Sequence, residues 1–97
     1  MQSSNNSKAF YNKLKVQLYK TTNWPSKYLF KFIVKSDPLK IAKIESVFDN
    51  TGAVISSSAS KNGKYTSLTV YVEMNNPESV ICKYQQIGEE VQDVISL

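Results

Sequence analysis

Residues 53–73 read AVISSSASKNGKYTSLTVYVE, two runs of alternating character joined by Asn62-Gly63. An Asn-Gly pair between alternating runs is the strongest short-range hairpin signal, because a type I′ turn needs positive φ at both central residues and matches the twist of the flanking strands. Read as a two-residue loop, it sets Lys61 opposite Lys64, Ser57 opposite Leu68, Ile55 opposite Val70 and Ala53 opposite Val72. Ala53, Ile55, Ser57 and Ala59 then share one face with Thr66, Leu68, Val70 and Val72, the expected core face. Val54, Ser56, Ser58 and Ser60 share the other with Tyr65, Ser67, Thr69 and Tyr71.

Upstream, Lys27 to Lys35 (KYLFKFIVK) has the aromatic and β-branched content of a strand. Tyr28, Phe30, Phe32 and Val34 lie on one side, and Lys27, Leu29, Lys31, Ile33 and Lys35 on the other, the pattern of a central strand with one dry face. Asp37-Pro38 reads as an N-cap followed by proline at the first helical position, with Ile41, Ile44 and Phe48 as the buried stripe and Gly52 placed to end the helix. Asn76-Pro77 repeats the device and opens a helix with Val80, Ile81, Tyr84 and Ile87 inward and Cys82 on the far side. A last strand is expected over 92–97. Ahead of all this, Phe10, Tyr11, Leu14 and Leu18 fall at helical spacing within 8–20, broken at Trp24-Pro25, and the polar residues 1–7 read as a disordered tail.

The order helix, strand, helix, strand, strand, helix, strand contains the β-α-β-β-α-β core of a ferredoxin-like α+β domain: a four-stranded antiparallel sheet with both crossover helices on one face. Residues 8–97 form this single domain, with small residues at 53, 57 and 59 allowing a helix close to the edge strand. The N-terminal helix then lies across the open sheet face, where Leu29, Ile33, Val54 and Tyr71 would receive it, or along an edge. Alternatively that face pairs with a second copy.

Ninety-seven residues suffice to bury roughly two-thirds of the unfolded chain's surface without staples. A single cysteine and no histidine exclude a Cys/His zinc site and histidine-based catalysis. With no signal-peptide pattern and no run of about 18 apolar residues, the expected location is the cytoplasm. The net charge of +4 attracts anionic partners, yet all twelve basic residues are lysine, whereas arginine supplies the planar fork that best recognises phosphate and guanine. Lysine together with eight asparagines is also what an A/T-rich genome produces.

Two constellations stand out. Lys27, Lys31 and Lys35 share a sheet face with Tyr65 and Tyr71, the residue types with which an RNA-recognition sheet stacks bases and meets phosphates; the glycine-rich aromatic RNP pattern is absent, and the tyrosines stand six residues apart. Lys61 and Lys64 face one another across the expected turn, a repulsion that a bound anion would relieve and that solvation relieves equally well. Carboxylates are scattered over caps and helix surfaces with no convergent pair, and no base stands ready to activate Ser56, Ser57, Ser58 or Ser60, so neither an enzyme nor a cofactor is expected.

The segments FYNKLKVQL (10–18), Trp24-Pro25, YLFKFIV (28–34), FDNTGAVIS (48–56), SKNGKYTSLTV (60–70) and VISL (94–97) resemble the bacterial YbeD-like family, and are closest to its Bacteroidetes members. Its proteins are of unknown function and often labelled lipoic acid-binding regulatory proteins. The resemblance implies a ferredoxin-like fold similar to the ACT domains that bind small effectors, and transfers no ligand-binding motif residue by residue. The junction VKSDPLK (34–40) lacks the glycine-containing effector loop of true ACT domains. The expected function is a non-enzymatic, ACT-like regulatory or protein-interaction module. Its partner is a protein, such as a lipoate-pathway enzyme, or a small effector, met by Lys31, Lys61, Lys64, Tyr65 and Tyr71; the alternative is a nucleic-acid binder using the same face.

Overall fold

A computed structural model describes residues 4–97, with side chains from Lys8 onward. Its elements are α1 (Ser4–Thr21), β1 (Ser26–Lys35), α2 (Pro38–Val47), β2 (Val54–Ala59), β3 (Tyr65–Met74), α3 (Pro77–Glu90) and β4 (Ile95–Ser96). The sheet order β2-β3-β1-β4, antiparallel throughout, is the ferredoxin-like arrangement. Of the tail expected over 1–7, residues 1–3 lie outside the described residues, and α1 begins at Ser4.

Both caps form as the sequence predicts. The Asp37 carboxylate accepts from the Leu39 N–H at 2.9 Å, and Asn76 and Ser79 close a reciprocal capping box. Proline at the first turn of α2 and α3 loses no bond there, since that N–H has no helical partner. Helix α2 ends earlier than expected. At Phe48 the chain tightens into bonds from Phe48 N–H to Glu45 and from Asp49 N–H to Ser46, and Gly52 (φ +76°) serves instead to turn the chain into β2.

The hairpin register is the predicted one, with Ile55 opposite Val70 and Ser57 opposite Leu68. The turn is different. Gly63 alone has positive φ (+73°), and the turn bond runs from Gly63 N–H to the Ser60 carbonyl, so Lys61 and Lys64 belong to a longer loop and not to the ends of the paired strands. The cause is the Asn62 side chain. Its amide oxygen accepts from the Lys64 N–H (3.0 Å) and the Ser60 hydroxyl (3.1 Å), an Asx-type turn that spares Asn62 the left-handed conformation.

The core comprises Phe30, Phe32 and Val34 of β1, Leu68, Val70 and Val72 of β3, Ile44 and Val47 of α2, and Val80, Tyr84 and Ile87 of α3, all buried. Ser57 and Ala59 were expected in that core but are exposed, because α2 packs chiefly on α3 and β1 and does not reach the far end of β2. The last strand is also shorter than expected. Asp93 takes φ +61° and delays it, so β4 pairs only with Phe32 and Ile33 of β1, extended by one bond from Leu97 N–H to the Lys31 carbonyl.

Helix α1 does not lie across the open face. It packs beside α3, where Tyr11 stacks on Tyr84 (centroids 6.4 Å apart) and Leu14 and Leu18 meet the core's margin. The Tyr19 hydroxyl donates to the Glu78 carboxylate, 2.5 and 2.7 Å from its two oxygens, and the Trp24 indole N–H donates to the Leu18 carbonyl at 3.2 Å. Trp24-Pro25, a cis bond, leads the chain from α1 into β1.

Two measurements check this arrangement. The Tyr19 bond, and then a backbone bond, hold the Glu78 carboxyl below its ordinary 4.5, so its contribution is present above that value and is lost as pH falls through the lowered one. The same bond holds the Tyr19 phenol above 10.0, so its share is lost only as pH rises through the raised value. Thermal unfolding of Tyr19→Phe should therefore fall less steeply than the wild type below pH 4.5; superimposable pH profiles would remove the latch. In denaturant unfolding, Phe30→Ala should cost about 3–5 kcal/mol as a core truncation, whereas Leu29→Glu, one residue away but outward, should stay within about 0.5 kcal/mol.

Candidate functional site: the uncovered sheet face

Period-two alternation places Lys27, Leu29, Lys31, Ile33 and Lys35 of β1 on the face opposite the helices, with Tyr65, Ser67, Thr69, Tyr71 and Glu73 of β3 and Val54, Ser56 and Ser58 of β2. Cross-strand register sorts these into rows. Lys27 and Glu73 form one; Leu29, Tyr71 and Val54 the next; Lys31, Thr69 and Ser56 the third; Ile95, Ile33, Ser67 and Ser58 the fourth; Lys35 and Tyr65 the last. Among the described residues no helix covers them. Leu29 is 55 % exposed, Val54 68 % and Ile95 52 %, with Tyr65 and Tyr71 also exposed.

Of the five residues singled out from sequence, Lys31, Tyr65 and Tyr71 come together on this face. Tyr65 begins β3 and Tyr71 lies six residues along it, about 20 Å away at a strand's rise, with Ser67 and Thr69 between them. The Lys27 ammonium lies 5.2 Å from the Tyr71 ring centroid, close enough for a cation–π contact. Lys61 and Lys64 stand apart at the hairpin tip beyond Tyr65, and the Lys64 carbonyl accepts from Ser36 N–H at the end of β1.

Small side chains shape the relief. Ser58, Ala59 and Ser60 leave a shallow hollow of about 310 Å³ against Ile33, Tyr65 and Ser67. Its hydroxyls are largely spent on the fold, the Ser60 oxygen accepting from Tyr65 N–H (3.0 Å) and Ser67 donating to the Ser58 carbonyl (3.4 Å). An apolar row, a lysine row and a hollow thus lie side by side on this face.

Sequence reasoning offered Leu29, Ile33 and Val54 as a seat for the N-terminal helix or for a second copy, and α1 packs beside α3 instead of on them. The signal was present in β1, whose outward side alternates leucine and isoleucine with lysine. Apolar residues that share a face with so many charges are poor seats for a packed helix. Among the described residues no three carboxylate or thiol groups gather as metal ligands, and no helix is long and apolar enough to cross a membrane. Cys82 is exposed on α3, away from this face.

No curated protein and no solved structure matches the chain. Residues 20–95, the span from the end of α1 to the start of β4, match the model of a family described as protein of unknown function (DUF493), which includes the YbeD-like proteins. With that match covering most of its length, the chain belongs to the DUF493 family.

Proposed function

We propose that this chain is a non-catalytic interaction module of regulatory type that docks a protein partner on its uncovered sheet face. The observation that carries this reading is the Leu29–Tyr71–Val54 row, three large side chains on three adjacent strands left in solvent by a domain whose core lies on its other face. Charge narrows the partner. The face carries Lys27, Lys31 and Lys35 against Glu73, so an isologous contact between two copies would set the lysine row against itself. A partner with an apolar centre and an acidic rim fits instead, its centre meeting Leu29, Val54 and Tyr71 and its rim meeting the lysines. The label carried by similar proteins points to an enzyme of lipoate metabolism as the first to try.

Exposed Tyr65 and Tyr71 beside Lys31 and Lys35 favour a second reading, single-stranded nucleic acid bound by stacking and phosphate contact. The roughly 20 Å between the rings weighs against it, since adjacent bases would not reach both.

One comparison separates the two. Tagged wild type and the Leu29→Glu/Val54→Glu variant are used to capture partners from host lysate with and without nuclease, and the solution mass of each is measured by sedimentation. The reading expects a monomer that retains an acidic protein after nuclease, lost in the variant. Retention that vanishes with nuclease would favour nucleic acid. A dimer dissolved by the variant would assign the face to a second copy, and capture indifferent to the variant would place the contact elsewhere.

A further inference from the structure

On the helix-bearing side, α3 lies between α2 and α1, packing against both. Beneath α1 the sheet ends in β4, which pairs with only two residues of β1. Helix α1 therefore overhangs the sheet and leaves a cavity of about 270 Å³. Phe10, Tyr11 and Leu14 of α1 form its roof, Tyr28 of β1 and Tyr84 of α3 its inner wall, and the chain at Ser96 and Leu97 its far side.

The inner wall carries a polar feature. The Tyr28 and Tyr84 hydroxyls are 3.0 Å apart and bonded to one another. Two hydroxyls bring two protons, and the bond between them uses one. The second has no protein acceptor among the described residues. Burial first, then the bond to Tyr28, pushes the Tyr84 phenol up beyond the ordinary phenol range, so Tyr84 keeps its proton wherever the protein is folded at ordinary pH. The lining side chains are otherwise aromatic or aliphatic apart from Ser96, and none carries a charge. The cavity opens to solvent past Phe10, Ser96 and Leu97, and a carboxylate set against its inner wall would give up part of its hydration without gaining a side-chain counter-ion, while a water on the spare proton would leave the apolar walls uncovered.

We propose that this cavity binds a small uncharged amide or ester with an aromatic or short aliphatic body, its carbonyl oxygen accepting the spare proton of the Tyr28–Tyr84 pair and its body lying against Phe10, Tyr11 and Leu14. Size agrees with this class. Benzene fills a dry cavity of about 150 Å³, so a ring with a short amide arm fits here. Ring orientations agree as well, Tyr11 lying nearly parallel to Tyr84 (24°) and Tyr28 edge-on (90°), which leaves flat faces and edges for an aromatic guest. The site is separate from the uncovered sheet face and does not depend on its occupant.

The test uses the whole chain, titrated with phenylacetamide and with its charged counterpart phenylacetate and followed by NMR. Saturable shifts at Leu14, Tyr28 and Tyr84 are expected with the amide, and binding at least about tenfold weaker with the carboxylate at neutral pH, the loss of a buried hydrogen-bonded acceptor being worth about that factor. Tyr28→Phe/Tyr84→Phe removes both hydroxyls while keeping the rings, a change the fold should tolerate, and should weaken the amide about tenfold. Leu14→Trp, which fills the cavity from its roof, should abolish binding and serves if the double variant does not fold. Absence of saturable shifts at millimolar amide, equal affinity for the carboxylate, or undiminished binding in either variant would overturn the proposal.

Discussion

Phe30 is the ring on which the two crossover helices and the central strand meet. Its centroid lies 5.1 Å from Phe48 at the end of α2, 5.2 Å from Tyr84 on α3, 4.8 Å from Tyr28 and 5.9 Å from Phe32. Edge-to-face and offset pairs of this kind add about 0.5–1.5 kcal/mol each beyond the apolar area they bury, and they fix direction as well as proximity. Every helix that makes such a contact must lie on the side of the sheet to which Phe30 points. The first helix obeys the same constraint at one remove, because Tyr11 stacks on Tyr84 and Tyr19 bonds to Glu78 on the same helix.

Two consequences follow from drawing three helices to one side. The opposite face keeps Leu29, Val54 and Ile95 in solvent, although each is as apolar as the residues behind it. The helix layer also becomes wider than the sheet that supports it, because β4 holds only two residues where β1 and β3 hold ten each. The uncovered face and the cavity under α1 thus come from one packing decision, the face by omission and the cavity by overhang. Neither needs a buried charge.

Much of this is legible in the sequence because strand alternation has a period of two. The register of Ile55 against Val70 requires only counting outward from Asn62-Gly63, and the division of β1 into Phe30-type and Lys31-type sides only the alternation within 27–35. Lys31, Tyr65 and Tyr71 were placed on one face by the same count. The turn itself was not legible, since Asn62 satisfies two donors with its side chain and leaves positive φ to Gly63 alone. The seat of α1 was not legible either, because a stripe of Tyr11, Leu14 and Leu18 fits a sheet face or a helix flank equally well. The Tyr28–Tyr84 hydroxyl pair joins residues 56 apart in sequence, and no local pattern announces it.

With all three helices drawn to the Phe30 side, the face behind Phe30 is bare in solution. Methyl-resolved NMR with a soluble paramagnetic agent tests this most directly, since relaxation enhancement reports whether solvent reaches each side chain. Strong enhancement at Leu29, Val54 and Ile95 with little at Val70 and Ile44 is the predicted result. Protection of Leu29 and Val54 comparable to that of Val70 would contradict it and mean that α1 or a second copy covers the face.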